Sequence, residues 1–132
     1  MPVDLRELAA IFLGGIAGAL ARAGVLEALP VHPGAWPWAT FLVNVAGAAL
    51  LAALMTWAHE RASTVPEHLP PLVGTGFCGA LTTFSAMQLE VLRLLDGGDV
   101  ALAALYALGS VAAGLAAVTL TSGAVRRLEV RA

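Results

Sequence analysis

The sequence predicts an all-α membrane protein of four transmembrane helices, the third of them broken near its middle. Three observations carry that expectation. Hydrophobic residues make up 59% of the 132-residue chain and charged residues only 12%, against about 45–50% and about 25% in soluble domains. The charges fall between uncharged runs long enough to cross roughly 30 Å of hydrocarbon. The third run contains Gly76-Phe77-Cys78-Gly79-Ala80-Leu81-Thr82-Thr83-Phe84-Ser85, whose glycines and hydroxyls suit an interruption better than a lipid-facing helix. Mean hydropathy is +0.85, and the length fits one domain spanning residues 1–132.

The first helix is expected over 5–29. It is uncharged from Leu8 to Ala21, is interrupted by Arg22 and resumes to Leu29. Met1–Glu7 carries one arginine against two acids; with the long apolar run that follows, this argues against a cleavable signal peptide. The second helix is expected over 37–60, after a turn at Pro30-Val31-His32-Pro33-Gly34. Trp38 and Trp57 bracket it as an interfacial belt. The third is expected over 69–95 with its break near 79–83. Irregular backbone at that depth survives only where protein or a water-filled cavity lines it, and a break frees carbonyls and amides that can hold ions. The fourth, over 99–125, contains the uncharged run Val100–Val125. Gly14 with Gly18, and Ser110 with Gly114, are small pairs four residues apart that let helix backbones approach. Four slender helices do not easily enclose a polar path, so an oligomer is expected.

All seven basic residues are arginines. Arg6, Arg61, Arg126, Arg127 and Arg131 share one side of the expected topology, with Arg93 and Arg22 toward the other, which favours cytoplasmic termini. The net charge of −2, with no basic patch outside the C-terminal tail, excludes a nucleic-acid partner. The lone Cys78 excludes an internal disulfide and a cysteine metal cluster. His32, His59 and His68 lack metal-ligand spacing. No nucleophile–base set or phosphate loop is present, so no enzyme is expected.

Several polar residues lie within the apolar runs, each with two readings. Asn44, about 9 Å inside Trp38 on an ideal helix, is an anion ligand or a helix–helix hydrogen bond. Thr82, Thr83 and Ser85 line a pathway or bond back to helix carbonyls. Arg22 and Glu90 are functional charges or snorkel from helix ends. Tyr106 and Ser110 share a face of the fourth helix, as part of a polar track or as packing. Phe77 and Phe84 read by themselves as core or lipid contacts.

Taken in order, four motifs resemble the Fluc (CrcB) fluoride channel family. They are Gly14-Gly15-Ile16-Ala17-Gly18-Ala19-Leu20-Ala21-Arg22, Thr40-Phe41-Leu42-Val43-Asn44-Val45-Ala46-Gly47, the Gly76–Ser85 segment, and Tyr106-Ala107-Leu108-Gly109-Ser110. The resemblance implies an antiparallel, dual-topology homodimer in the cell membrane, with pairing to an oppositely oriented paralogue as the alternative. It implies two fluoride pores along the dimer interface. Asn44 would donate to dehydrated fluoride, Phe84 would offer its ring edge, and Ser85, Tyr106 and Ser110 would line a polar track. Glu90 would sit near a pore mouth, and Arg22 would be structural or electrostatic. The carbonyls of Gly79 and Thr82 would hold a structural Na+ at the dimer centre. Where the family usually carries a second phenylalanine three residues after the first, this chain has Met87, which implies altered conduction rather than a dead pore.

The resulting expectation is a passive, fluoride-selective channel that exports cytoplasmic fluoride. One rival is a small multidrug-type cation/proton antiporter, which needs a carboxylate in mid-first-helix; Glu7 and Glu27 stand at its ends. The other is a non-transporting membrane subunit, in which Asn44 and the threonines are packing alone.

Overall fold

A computed structural model describes residues 4–130; Arg131, used above in the topology expectation, lies outside them. Among the described residues the regular structure is all helical, with no strand. Helix α1 runs Leu5–Ala28, capped by Asp4, whose carboxylate accepts from the Arg6 amide at 2.8 Å. Helix α2 runs Trp38–Glu60. The third crossing comprises α3, wound as a π-helix over Pro70–Cys78 and closed by one α-helical turn at Gly79–Leu81, and α4, Phe84–Asp96. Helix α5 runs Val100–Val130. The four crossings, Leu5–Ala28, Trp38–Glu60, Pro70–Asp96 and Val100–Val130, are each long and apolar enough to span a bilayer.

Two features differ from the sequence reading. The segment before the break is a wide π-helix rather than a plain helix. Pro70 and Pro71 occupy its first two positions, where a missing N–H costs nothing, and π-wound stretches are frequent at functional sites. Helix α5 passes the expected end at Val125 and continues to Val130. At about 1.5 Å per residue its 31 residues exceed the hydrocarbon thickness. The protruding turn is tied to the end of α2 by Arg61 Nε to Glu129 at 2.6 Å and, more loosely, Arg126 to Glu60 at 4.0 Å.

Helix α1 packs along α3, and α2 lies along α5. The first of these contacts depends on glycine. A Cβ at Gly14 would run into the Leu72 carbonyl, one at Gly18 into the Phe77 carbonyl, and one at Gly76 into the Ile11 carbonyl. The approach is therefore backbone to backbone, as the Gly14–Gly18 spacing implies. The second expected pair does not act this way within the chain, because the Cβ position of Gly114 meets nothing within 4 Å. At the other end of the molecule a small core of Met87, Leu94, Ala103 and Tyr106 joins α4 to α5. Trp36 stands edge-on to Tyr106 at 5.3 Å and to Phe41 at 5.4 Å, sealing the loop before α2 against that core.

Gly18→Val is expected to force α1 off α3 and to destabilise the fold by about 1–3 kcal/mol, the usual cost of overpacking. Gly15→Val, at a position with open space around it, serves as the control. Unfolding midpoints in detergent compare the two, and equal midpoints would refute the close-approach account.

Candidate ion pathway

The interruption at Thr82–Thr83 organises the site. Both residues are extended, Thr82 at φ −81°, ψ 154° and Thr83 at φ −152°, ψ 114°. The backbone groups released there need partners, since hydrocarbon supplies none. Asn44 on α2 provides two of them. Its Oδ1 accepts from the Thr83 amide at 2.7 Å, and its Nδ2 donates to the Thr83 carbonyl at 3.0 Å, as a neighbouring strand would. Thr83 in turn caps α4, its hydroxyl accepting from the Ala86 amide at 3.2 Å. The Thr82 hydroxyl bonds back to the Cys78 carbonyl at 2.9 Å. Gly47 leaves room for the Thr82 methyl group, where a Cβ would collide. Arg22 Nη1 donates to the Thr82 carbonyl at 3.3 Å, so the charge inside the first run meets the break rather than snorkelling alone.

Both readings of Asn44 therefore coexist. One amide hydrogen is engaged by Thr83, and a primary amide has two. Asn44, Thr82, Thr83, Phe84, Met87 and Ser110 line one cleft of about 270 Å³. Ser110 Oγ is buried and lacks a hydrogen-bond partner among the described residues. Met87 is buried at 9% exposure, whereas Phe84 is 67% exposed beside it, so the cleft has an aromatic wall but no cover. Ser85 does not line this cleft; it is exposed, its hydroxyl 3.4 Å from that of Thr83.

Glu90 and Tyr106 form a second, deeper group. Glu90 is only 5% exposed and Tyr106 is fully buried. The Tyr106 hydroxyl donates to Glu90 Oε2 at 2.6 Å, and the Thr40 hydroxyl donates to Oε1 at 2.6 Å. Each carboxyl oxygen thus has its own donor, which is how a buried acid is tolerated. Tyr106 spends its hydroxyl hydrogen on Glu90 in this arrangement. Glu90 also borders a cavity of about 570 Å³ that opens at the loop end of the molecule, with His32, Arg93 and Asp99 on its walls. The order from that end inward is cavity, Glu90 with Thr40 and Tyr106, then the cleft holding Ser110 and Asn44.

Thr40 is the member of this buried group that the sequence reading did not single out. It is fully buried and stands one helical turn before Asn44, and that i, i+4 spacing was the available signal. The carbonyls of Gly79 and Thr82 lie at the break, and that of Thr82 accepts from Arg22. The amides four residues on, Thr83 and Ala86, bond Asn44 and the Thr83 hydroxyl respectively, so neither carbonyl keeps its ordinary helical donor.

Thr83→Val removes the cap of α4 and is expected to cost about 1 kcal/mol in unfolding free energy, with Thr83→Ser restoring most of it. A Thr83→Val protein as stable as the parent would show that the cap is unimportant.

Comparison with known proteins matches residues 9–122 to the family model described as CrcB-like protein, Camphor Resistance (CrcB). A protein of Mycolicibacterium paratuberculosis named fluoride-specific ion channel FluC 1 is 51% identical over 97% of this chain and 96% of its own length. The FluC 1 of Mycobacterium bovis is 47% identical over the same shares. The FluC of Gloeobacter violaceus is 43% identical over 86% of this chain and 90% of its own. With four bilayer-crossing helices and similarity over nearly its whole length, this chain is a multi-pass membrane protein and belongs to the CrcB family.

Proposed function

We propose that the protein is a passive, fluoride-selective channel that lets cytoplasmic fluoride leave across the cell membrane. The observation that carries this reading is the cleft joining Asn44, Phe84, Met87 and Ser110 at a helix break. Its polar lining is neutral: an amide, hydroxyls and a ring whose edge is positive. Fluoride gives up tightly held water only if other donors replace it. Full positive charge would hold it too firmly, whereas conduction needs sites weak enough to leave. An inside-negative potential drives an anion outward by about 2.3 kcal/mol per 100 mV. No energy input is required. Hydrogen fluoride enters neutral, dissociates, and leaves as the anion.

The cleft is open on the Phe84 side, and a second copy supplies the missing wall. An antiparallel pair related by a two-fold axis yields two equivalent pores along its interface, with Phe84 and Ser85 of each protomer on the shared face. Near that axis the Gly79 and Thr82 carbonyls of both protomers converge on a structural Na+. Carbonyl oxygens suit a hard cation; both lack their helical donors, and the Thr82 oxygen keeps a second lone pair beside the one that accepts from Arg22. One observation favours a second arrangement. Arg6, Arg61, Arg126 and Arg127 lie at one end of the chain and Arg93 at the other, a bias toward one orientation that pairing with an inverted paralogue would balance.

Fluoride efflux from liposomes holding only this purified chain, with chloride as control, tests the reading. Fast fluoride-selective release is expected, and release by this chain alone decides for the homodimer. Asn44→Asp keeps the acceptor for the Thr83 amide but places negative charge in the cleft. It is expected to lower efflux by at least about tenfold, the effect of some 1.4 kcal/mol on a barrier. Undiminished efflux through a folded Asn44→Asp dimer would sink the pore assignment. Met87→Phe should change the rate without changing selectivity.

A further inference from the structure

Given the channel reading above, we infer that Arg93 is the device that lets anions enter the cavity next to Glu90. The titratable and charged groups lining that cavity of about 570 Å³ are His32 from the loop before α2, Glu90 and Arg93 from α4, and Asp99 from the turn into α5. Two of the four are carboxyl groups. A mouth holding Glu90 and Asp99 alone repels fluoride at the point where it must begin to shed water. Arg93 offsets one of these charges. The guanidinium is not committed elsewhere: among the described residues the ion pairs within 4.0 Å are Arg61 with Glu129 and Arg126 with Glu60. Arg93 is exposed at the cavity wall, while Glu90, one turn before it on α4, is buried with Thr40 and Tyr106. Cation and carboxylate therefore succeed one another along the entry route. A partly enclosed, low-dielectric mouth focuses such charges and can raise the local concentration of an ion, and its entry rate, by about tenfold or more.

The role is electrostatic steering, so it carries a dependence on salt. Screening lengths are about 30 Å at 0.01 M and about 3 Å at 1 M ionic strength, so the mouth operates in the first condition and is silenced in the second.

Fluoride efflux from liposomes holding the full chain is measured at about 0.01 M and about 1 M ionic strength, with protein-free liposomes subtracted. Arg93→Gln is expected to slow efflux several-fold at low ionic strength and to match the parent at high ionic strength, with Arg93→Lys restoring the rate. Asp99→Asn, which removes an opposing charge, is expected to speed efflux at low ionic strength. It keeps the inference testable should Arg93→Gln fail to assemble as judged by size-exclusion chromatography. The inference is overturned if the folded variants all match the parent at low ionic strength. It is also overturned if the Arg93→Gln deficit is as large at high ionic strength, which would mark a structural defect. Absence of fluoride release from the parent protein would instead remove the channel reading itself.

Discussion

Everything in this structure turns on a chain break placed where backbone has no solvent to fall back on. Between Leu81 and Phe84 the third crossing leaves the helix, and its amides and carbonyls stand inside an apolar span. The Asn44 amide supplies a donor and an acceptor to Thr83, the Thr83 hydroxyl receives the Ala86 amide, and Arg22 reaches the Thr82 carbonyl. These few side chains hold an irregular segment in one conformation. An unsatisfied group here would cost about 1–3 kcal/mol, and in a fold with little buried core that is a large share of total stability. The same side chains that repair the break bring its polar groups to the cleft, so structure and transport draw on one set of atoms.

The break also explains the demand for glycine. A segment carrying polar side chains on one face must be gripped from another face by something thin. Gly14, Gly18 and Gly76 let α1 touch the backbone of α3, and Gly47 receives the side chain of Thr82. The grip is contact between backbones rather than interlocking large side chains, which suits a setting where lipid is as apolar as leucine and offers no hydrophobic drive to helix association. By contrast, α5 presents Gly114 to open space. Its large apolar residues, among them Leu108 at 71% and Leu115 at 64% exposure, face lipid or a second copy.

Much of this was legible in the sequence, for physical reasons that differ from element to element. The crossings follow from uncharged runs of bilayer length, since each charge in hydrocarbon is expensive. The break follows from the Gly-Ala-Leu-Thr-Thr grouping, and the α1 contact from the spacing of Gly14 and Gly18. The pairing of Asn44 with Thr83 was not legible, because the two are far apart in sequence and either could have bonded locally. Burial of Glu90 between Thr40 and Tyr106 was hidden for the same reason: a charge near a helix end reads equally as a snorkelling side chain. The π-wound stretch over Pro70–Cys78 leaves no mark on an apolar pattern, because every turn of it is hydrophobic in either winding. The extension of α5 to Val130 was missed because hydropathy locates the edge of the membrane rather than the end of a helix.

The neutrality of the cleft and the charge of the mouth are two halves of one requirement. An anion must be drawn from bulk water by charge, because neutral dipoles fall off too quickly to act at a distance. Once partly dehydrated it must be held by neutral donors, because a bare cation in a low-dielectric setting would trap it: at 4 Å two unit charges interact by about 1 kcal/mol in water and about 4 kcal/mol near a protein surface. The chain separates these tasks along its length. Its exposed cation, Arg93, stands on the outer cavity. The acid that follows is screened by two hydroxyls. The innermost cleft carries amide, hydroxyl, thioether and ring groups, and the one guanidinium nearby, Arg22, is turned onto a backbone carbonyl at the break. In the proposed channel, strong attraction acts where the anion is still hydrated, and weak, replaceable coordination acts where it is not. A single small anion can then both enter and leave.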